Sequence, residues 1–419
     1  MSNSKVDPIS LSDRIEVIDV LRGFAILGIL IGNMQWFSGY GMMPPAVAAL
    51  DSTADDIVKF FVHFLIEGKF YSIFSFLFGF GFALQIAKSD ERGDPKASLF
   101  KRRLFWLLVI GLLHGLFIWA GDILSVYAIS GFILLLFRRK SGASMLKWVV
   151  GFWAAPVLVY MLLYAAFLAF APPGAGTPPD VERQISQWGD AVNTVANGGY
   201  WEIFTGYNLQ YIIGRYIGLF AEMRWTKLLA MFLLGCYAYR GGFFQKPREH
   251  RPFIRKVLIY GLVFGAIGNA VLAWTMTIQP PFPPSALGIL GTVGYVVGVP
   301  SLALFYIAAG TLLWQTDAWR RLLAILAPVG RMALTNYILQ SVICVLLFYG
   351  YGFGLFGSVR AAAATAIAFG IFLFQIAFST VWLKFFRYGP LEWIWRQLTY
   401  RHRLDLRFKP PRSTAQSAH

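Results

Sequence analysis

Long, unalternating apolar runs separated by short basic segments fill most of the chain. A helix that crosses a membrane needs about 20 mostly apolar residues. Ten stretches meet that need: 17–37, 67–88, 103–119, 122–138, 147–170, 217–239, 254–276, 287–313, 322–349 and 360–385. Strands of a membrane barrel would alternate in polarity over about ten residues, and these runs do not alternate. The expected fold class is therefore all-α, a polytopic integral membrane protein of about ten transmembrane helices. The pattern divides the chain into an N-terminal segment 1–16, a transmembrane domain 17–385 and a basic tail 386–419 with a short interfacial helix. Segment 171–216 is the long external loop. It opens with Pro172, Pro173, Pro178 and Pro179 and continues through a Trp- and Tyr-bearing stretch suited to lie on a membrane surface or cover a pocket. Stretch 50–66, with His63 near its end, reads as a short interfacial helix. The start lacks the basic-then-apolar order and small-residue cleavage site of a signal peptide, so the first span is expected to be retained.

Composition sharpens this picture. Hydrophobic residues make up 57% of the 419 and charged residues 14%, against about 25% charged in ordinary globular proteins. That excludes a soluble fold, and a disordered chain would show the opposite bias. The net charge of +16 comes from 37 Lys and Arg against 21 Asp and Glu. The basic residues gather in segments 88–103, 138–147, 240–256 and 384–412 and at Arg320 and Arg321, all on one side of a ten-span arrangement. The opposite loops hold Lys59, Arg183, Arg215 and Arg360. The positive-inside rule then puts both termini in the cytoplasm. Membrane lipids are the expected partners, a homodimer is possible, and no nucleic acid is required. Cys236 and Cys344 lie in apolar runs without CxxC or CxxH spacing, which suggests buried reduced thiols and no metal site.

A charge inside a membrane helix costs roughly 2.5–3.5 kcal/mol on insertion scales, so each is a functional candidate. In the third span Arg103 and His114 are eleven residues apart, which leaves them about 20° apart in rotation and about 16 Å apart along the axis. Away from water an unpaired imidazole favours its neutral form, which can accept a proton. Asp122, at the tight turn that follows, suits a helix cap or an orienting partner for His114. The first span repeats the spacing with Arg22 and Asn33, and Asp19 is placed to pair with Arg22. Further candidates are Glu67 and Lys69 in the second span, Glu222, Arg224 and Lys227 in the sixth, and Arg331, Asn336 and Gln340 in a polar seam of the ninth. There is no Gly-rich phosphate loop, GxSxG elbow, HExxH or magnesium-type aspartate cluster.

Several strings taken together carry a family resemblance. They are Asp19-Val-Leu-Arg-Gly through Asn33, Glu67-Gly-Lys-Phe-Tyr through Gly79, Arg103 to His114 followed by Gly121-Asp-Ile-Leu124, Gly330-Arg-Met-Ala-Leu-Thr-Asn through Ser341, and Tyr388-Gly-Pro-Leu-Glu-Trp through Arg396. From about residue 14 to 400 the chain resembles the bacterial YeiB-type family of inner-membrane proteins of unknown function. That family looks like a branch of the transmembrane acyltransferases, which include heparan-α-glucosaminide N-acetyltransferase and bacterial enzymes that O-acylate surface sugars. In the sugar acylators an Arg, ten residues and a His form a signature, and Arg103 with His114 fits that spacing. Outside it, the sequence does not follow them closely. The resemblance implies acyl-CoA or acetyl-CoA as a cytoplasmic donor. Arg22, Arg102 and Arg103 would then hold its phosphates. His114 would serve as general base or transient acyl carrier, with Asp122 orienting it and Asn33 polarising the thioester carbonyl. Glu67, Lys69, Arg224, Lys227 and Asn336 are the candidates for binding a sugar, lipid or small-metabolite acceptor. The competing reading is a transporter of a small organic solute with His114 as proton relay, although the sequence lacks the two similar halves of many transporters.

Overall fold

The computed structural model describes residues 15–91, 97–172, 180–278 and 283–408. The expectations for segment 1–14, Arg92, Lys96, Pro173, Pro178, Pro179 and the tail beyond 408 fall outside these residues. Within them the chain is helical: α1 (Glu16–Phe37), α2 (Thr53–Phe61), α3 (Lys69–Glu91), α4 (Ser98–Phe117), α5 (Leu124–Phe137), α6 (Gly142–Phe170), α7 (Val181–Asn197), α8 (Leu209–Ala221), α9 (Arg224–Arg240), α10 (Arg251–Ile278), α11 (Ala286–Leu313), α12 (Asp317–Arg331), α13 (Ala333–Phe348), α14 (Ala361–Phe385) and α15 (Pro390–Tyr400). Among the described residues the only β pairing is a single bridge between Phe386 and Arg407.

Each of the ten predicted apolar stretches contains helix, yet the helices are not alike. Six are long and apolar enough to cross a membrane: α1, Thr53–Glu91, α6, α10, α11 and α14. α12 and α13 together pass the same test but are bent by 77°, so they form one broken span or a re-entrant pair. α4, α5 and α9 are shorter or too basic to pass it. The expected sixth span, 217–239, breaks at Met223, a non-glycine residue at φ +52° that separates α8 from α9. The expected ninth, 322–349, breaks at Met332, between Arg331 and Ala333.

Some helix starts are capped by side chains. Ser141 caps α6 by accepting from Ser144 N at 3.3 Å, and Ser285 caps α11 by accepting from Gly288 N at 3.0 Å. The cap of α13 comes from elsewhere in the chain. Glu392 of α15 accepts from Leu334 N (2.7 Å), Thr335 N (3.1 Å) and Thr335 Oγ1 (2.6 Å). Burial pushes the Glu392 carboxyl above its ordinary range, and these donors pull against that shift.

Helices approach closely where glycine removes the side chain. A Cβ on Gly79 would run into the Phe232 carbonyl, and one on Gly235 into the Phe76 carbonyl, so α3 and α9 touch backbone to backbone. Gly330 lies in the same way against Asp19 and Gly23, which brings Arg331 beside the first turns of α1. Large apolar side chains line the outside, among them Ile259, Phe264, Ile267, Leu162, Phe170, Leu373 and Phe374. In a soluble protein so much exposed apolar surface would be a defect; against lipid it is the ordinary outer face.

Candidate functional site

α1 and α3 run antiparallel, with Arg22 near Gly81 and Gly28 against the Phe70 ring. Between them lies a cavity of about 820 Å³. α1 contributes Arg22, Ile26, Ile29, Asn33 and Trp36, which recur at three- and four-residue steps and so share one face. α3 contributes Tyr71, Phe74, Phe78, Gly81 and Gln85 by the same rule. The wall therefore runs from Arg22 to Asn33, eleven residues or about 16 Å of helix. Its middle is apolar, with Phe70, Phe74, Leu104 and Leu107. Its two ends are charged.

At the first end Arg22 pairs with Asp19 at 2.8 Å. Arg103 stacks on the Trp395 ring, its guanidinium carbon 4.0 Å from the centroid, and the Trp395 indole N–H donates to the Arg103 carbonyl at 2.9 Å. Arg331 and Arg396 line the same cavity. Arg102 does not: it donates to the Thr399 carbonyl at 3.0 Å and so ties α15 to α4.

His114 and Asp122 meet as the sequence spacing allowed. His114 Nδ1 lies 2.9 Å from Asp122 Oδ1, with both side chains almost fully buried. Asp122 also caps α5, accepting from Leu124 N (3.1 Å), Ser125 N (2.8 Å) and Ser125 Oγ (2.6 Å). Ser125 Oγ lies 2.6 Å from the Tyr216 hydroxyl. A carboxylate that already receives these N–H and O–H donors assigns the imidazole proton to Nδ1. Nε2 has no hydrogen-bond partner among the described residues. Gly111 lets this happen, because a Cβ there would meet Ser125 N and Asp122 Oδ2. The dyad stands one residue behind the cavity wall. Tyr337 joins the two, since its ring packs 5.3 Å from the imidazole and it lines the cavity. Arg215, also on the wall, donates to the Gly121 carbonyl (3.1 Å) and the Asp122 carbonyl (3.4 Å) and so holds the turn.

The second end gathers Glu67, Glu222 and Arg224 on the wall. Arg224 pairs with Glu222 at 2.7 Å and faces the Tyr71 ring, while the Tyr71 and Tyr295 hydroxyls lie 2.6 Å apart. Glu67 pairs with His63. Lys69 is fully buried off the wall and donates to the His63 carbonyl at 2.7 Å. Lys227 stacks over the Tyr295 ring at 3.9 Å, also off the wall. Asn336 faces α14, donating to Ser379 Oγ at 2.9 Å and to the Val329 carbonyl at 3.2 Å. With Gln340 and Gln375 it forms a seam that binds helices together.

Sequence candidates thus divide. Arg22, Asn33, Glu67, Arg103 and Arg224 reach the cavity, whereas Arg102, His114, Asp122, Lys69, Lys227 and Asn336 do not line it. Sequence reasoning passed over Arg215, Tyr337, Trp395 and Arg396 as site residues and took Arg331 as part of a seam. The available signal was the clustering of Arg331 and Arg396 in the motif-bearing strings that close the chain.

The profile of the family described as "Protein of unknown function (DUF418)" matches residues 238–402. The uncharacterized protein YxaH of Bacillus subtilis (strain 168) is 33% identical over 418 residues, covering 95% of this chain and 97% of that protein. This chain belongs to the YeiB-type family of unknown function. YeiB of Escherichia coli (strain K12), also uncharacterized, is 29% identical over 400 residues, covering 93% of this chain and 97% of YeiB. An uncharacterized 39.9 kDa protein in the amylase 3′ region of Bacillus acidopullulyticus is 30% identical over 415 residues, covering 96% and 99% of the two chains.

Proposed function

We propose that the chain is an inner-membrane acyltransferase of ten spans, with both termini cytoplasmic, that moves an acyl group from cytoplasmic acyl-CoA to an acceptor hydroxyl or amine. The topology rests on the one-sided distribution of basic residues. In a background without Cys236 and Cys344, Asp190→Cys should be labelled by an impermeant thiol reagent in intact spheroplasts and Gly142→Cys protected. The reverse pattern would overturn the orientation.

The observation that carries the chemistry is the His114–Asp122 dyad beside a cavity that is arginine-rich at one end and apolar in the middle. Phosphates suit the arginines, and the apolar middle suits an acyl chain kept away from water, where hydrolysis competes. The step balances as follows. The acceptor O–H or N–H gives its proton to His114 Nε2 while its heteroatom attacks the thioester carbonyl. The C–S bond breaks, and the leaving sulfur takes the proton from the imidazolium, releasing coenzyme A as its thiol. Asp122 holds the proton on Nδ1 and stabilises the imidazolium. Tyr337 moves aside to admit the reacting carbonyl, and Asn33 lies on the wall as a donor to it. The Glu67–Arg224 end receives the acceptor.

Transport is the second reading, favoured by the charged groups at both ends of the cavity. Purified protein with radiolabelled acetyl-CoA and octanoyl-CoA separates the two. Binding followed by thioester consumption and label transfer to a membrane-extract acceptor is the expected result. Acyl-CoA that neither binds nor turns over would overturn the acyltransferase reading.

A further inference from the structure

Arg103, Arg331 and Arg396 line one end of the cavity and, among the described residues, make no ion pair with a carboxylate. Arg331 Nε is buried with no hydrogen-bond partner among those residues. Arg22 adds a fourth guanidinium, paired with Asp19. The nearby carboxylate of Glu392 is occupied by the N-terminus of α13. Half-buried guanidinium groups gathered together with no ion-paired carboxylate repel one another, so such a cluster suits an anion carrying more than one charge. The aromatic contacts set the shape of the site. Trp395 covers one face of the Arg103 guanidinium and the Tyr388 ring lies 4.7 Å from Arg396. A stacked guanidinium keeps its N–H edge for hydrogen bonds, and that edge matches phosphate oxygens in pairs.

The C-terminal helix α15 builds this end. It supplies Trp395 and Arg396, and three attachments hold it there: Arg102 to the Thr399 carbonyl, Trp395 to the Arg103 carbonyl, and Glu392 to α13. Arg331 arrives at the break between α12 and α13, the same junction that Glu392 caps.

We infer that α15 and the α12–α13 break complete a diphosphate-binding site, in which Arg331 and Arg396 join Arg22 and Arg103 to hold a pyrophosphate group whose apolar extension lies along Phe74, Leu104 and Leu107. The inference deepens the donor reading, on which it rests for its choice of coenzyme A over a lipid diphosphate. Both carry a pyrophosphate and both fit the chemistry of the site.

Isothermal titration of the full-length protein in detergent tests it with coenzyme A, pantetheine, inorganic phosphate, inorganic pyrophosphate and farnesyl diphosphate. Coenzyme A should bind and inorganic pyrophosphate should compete, while pantetheine and phosphate should not. Arg331→Gln and Arg396→Gln should each weaken coenzyme A binding about tenfold or more, since a charge-assisted hydrogen bond contributes on that scale. Arg331→Lys and Arg396→Lys should recover part of the loss, and exposed Arg139→Gln should change nothing. Unchanged affinity in folded Gln variants, or competition by pantetheine equal to that by coenzyme A, would overturn the site. Binding of farnesyl diphosphate but not coenzyme A, lost in the same variants, would keep the diphosphate site and overturn the donor reading. Acyl transfer that survives both Gln variants at low donor concentration would keep the donor reading and overturn this site.

Discussion

Two parts of the molecule use the same apolar alphabet to opposite ends. The hairpin of α10 and α11 is built on glycine: Gly268 of α10 lies against Gly294 and Gly298 of α11, while Gly261 and Gly265 lie against Ser301 and Leu302. Its outward side chains are large and apolar, and Asn269, its buried amide, is spent on the Gly265 carbonyl within its own helix. The helices around the cavity, α1, α3 and α4 with the turn before α5, carry Arg22 and Arg103 on its wall and the His114–Asp122 dyad behind it. Close glycine contact leaves no room for a ligand, whereas walls held apart by Phe and Tyr side chains enclose one. In the proposed reading the hairpin is scaffold, and the chemistry falls to helices whose apolar runs carry charged residues on the cavity side.

That contrast can be broken at graded strength. The largest effect belongs to Gly298→Leu. Any Cβ there meets the backbone of Gly268 and Asn269, so size-exclusion chromatography in detergent should show loss of the monodisperse protein. A normal peak would mean that the hairpin is not the rigid half. Asp122→Asn comes next. It keeps the size of the cap but alters the partner of His114 Nδ1, and acyl transfer should fall by about 10²–10⁴-fold with donor binding retained. Equal loss of binding and transfer would make Asp122 a folding residue instead. Trp395→Phe is milder. It removes the N–H bond to the Arg103 carbonyl but keeps an aromatic face, and the affinity for coenzyme A should drop a few-fold, about 1 kcal/mol. The smallest effect is expected from Ile259→Ala and Ile267→Ala, both more than half exposed on the hairpin. Neither transfer nor binding should change, and a large loss at either position would reveal a partner on that face.

Much of the scaffold was legible because long apolar runs have one stable form in a membrane. The ends of α1, α6, α11 and α14 fall within a few residues of expectation. The breaks at Met223 and Met332 were not legible, since neither residue is a glycine or proline and both sit in apolar or mixed surroundings. Helical spacing correctly put Arg22 and Asn33 on one wall. For Arg103 and His114 it gave a shared azimuth but not what covers it. Tyr337 and the α5 turn close over the imidazole, while Arg103 stays open to the cavity. Arg396 was hidden by its position in a basic tail, where topology already accounts for a positive charge. Long-range contacts bring that helix to the site: the cap from Glu392 to α13, 58 residues apart in sequence, and the bonds of Arg102 and Trp395 between α4 and α15.

The central claim is that His114 performs proton transfer and does not merely fill space. The most direct measurement pairs acyl transfer with donor binding in His114→Ala, with His63→Ala as control at the half-exposed His63–Glu67 pair. Loss of a positioned general base costs about 10²–10⁴-fold in rate. The account predicts that His114→Ala elutes as the parent protein does, binds coenzyme A with unchanged affinity and loses at least about a hundredfold in transfer, while His63→Ala loses much less. Near-parental transfer by folded His114→Ala would contradict it.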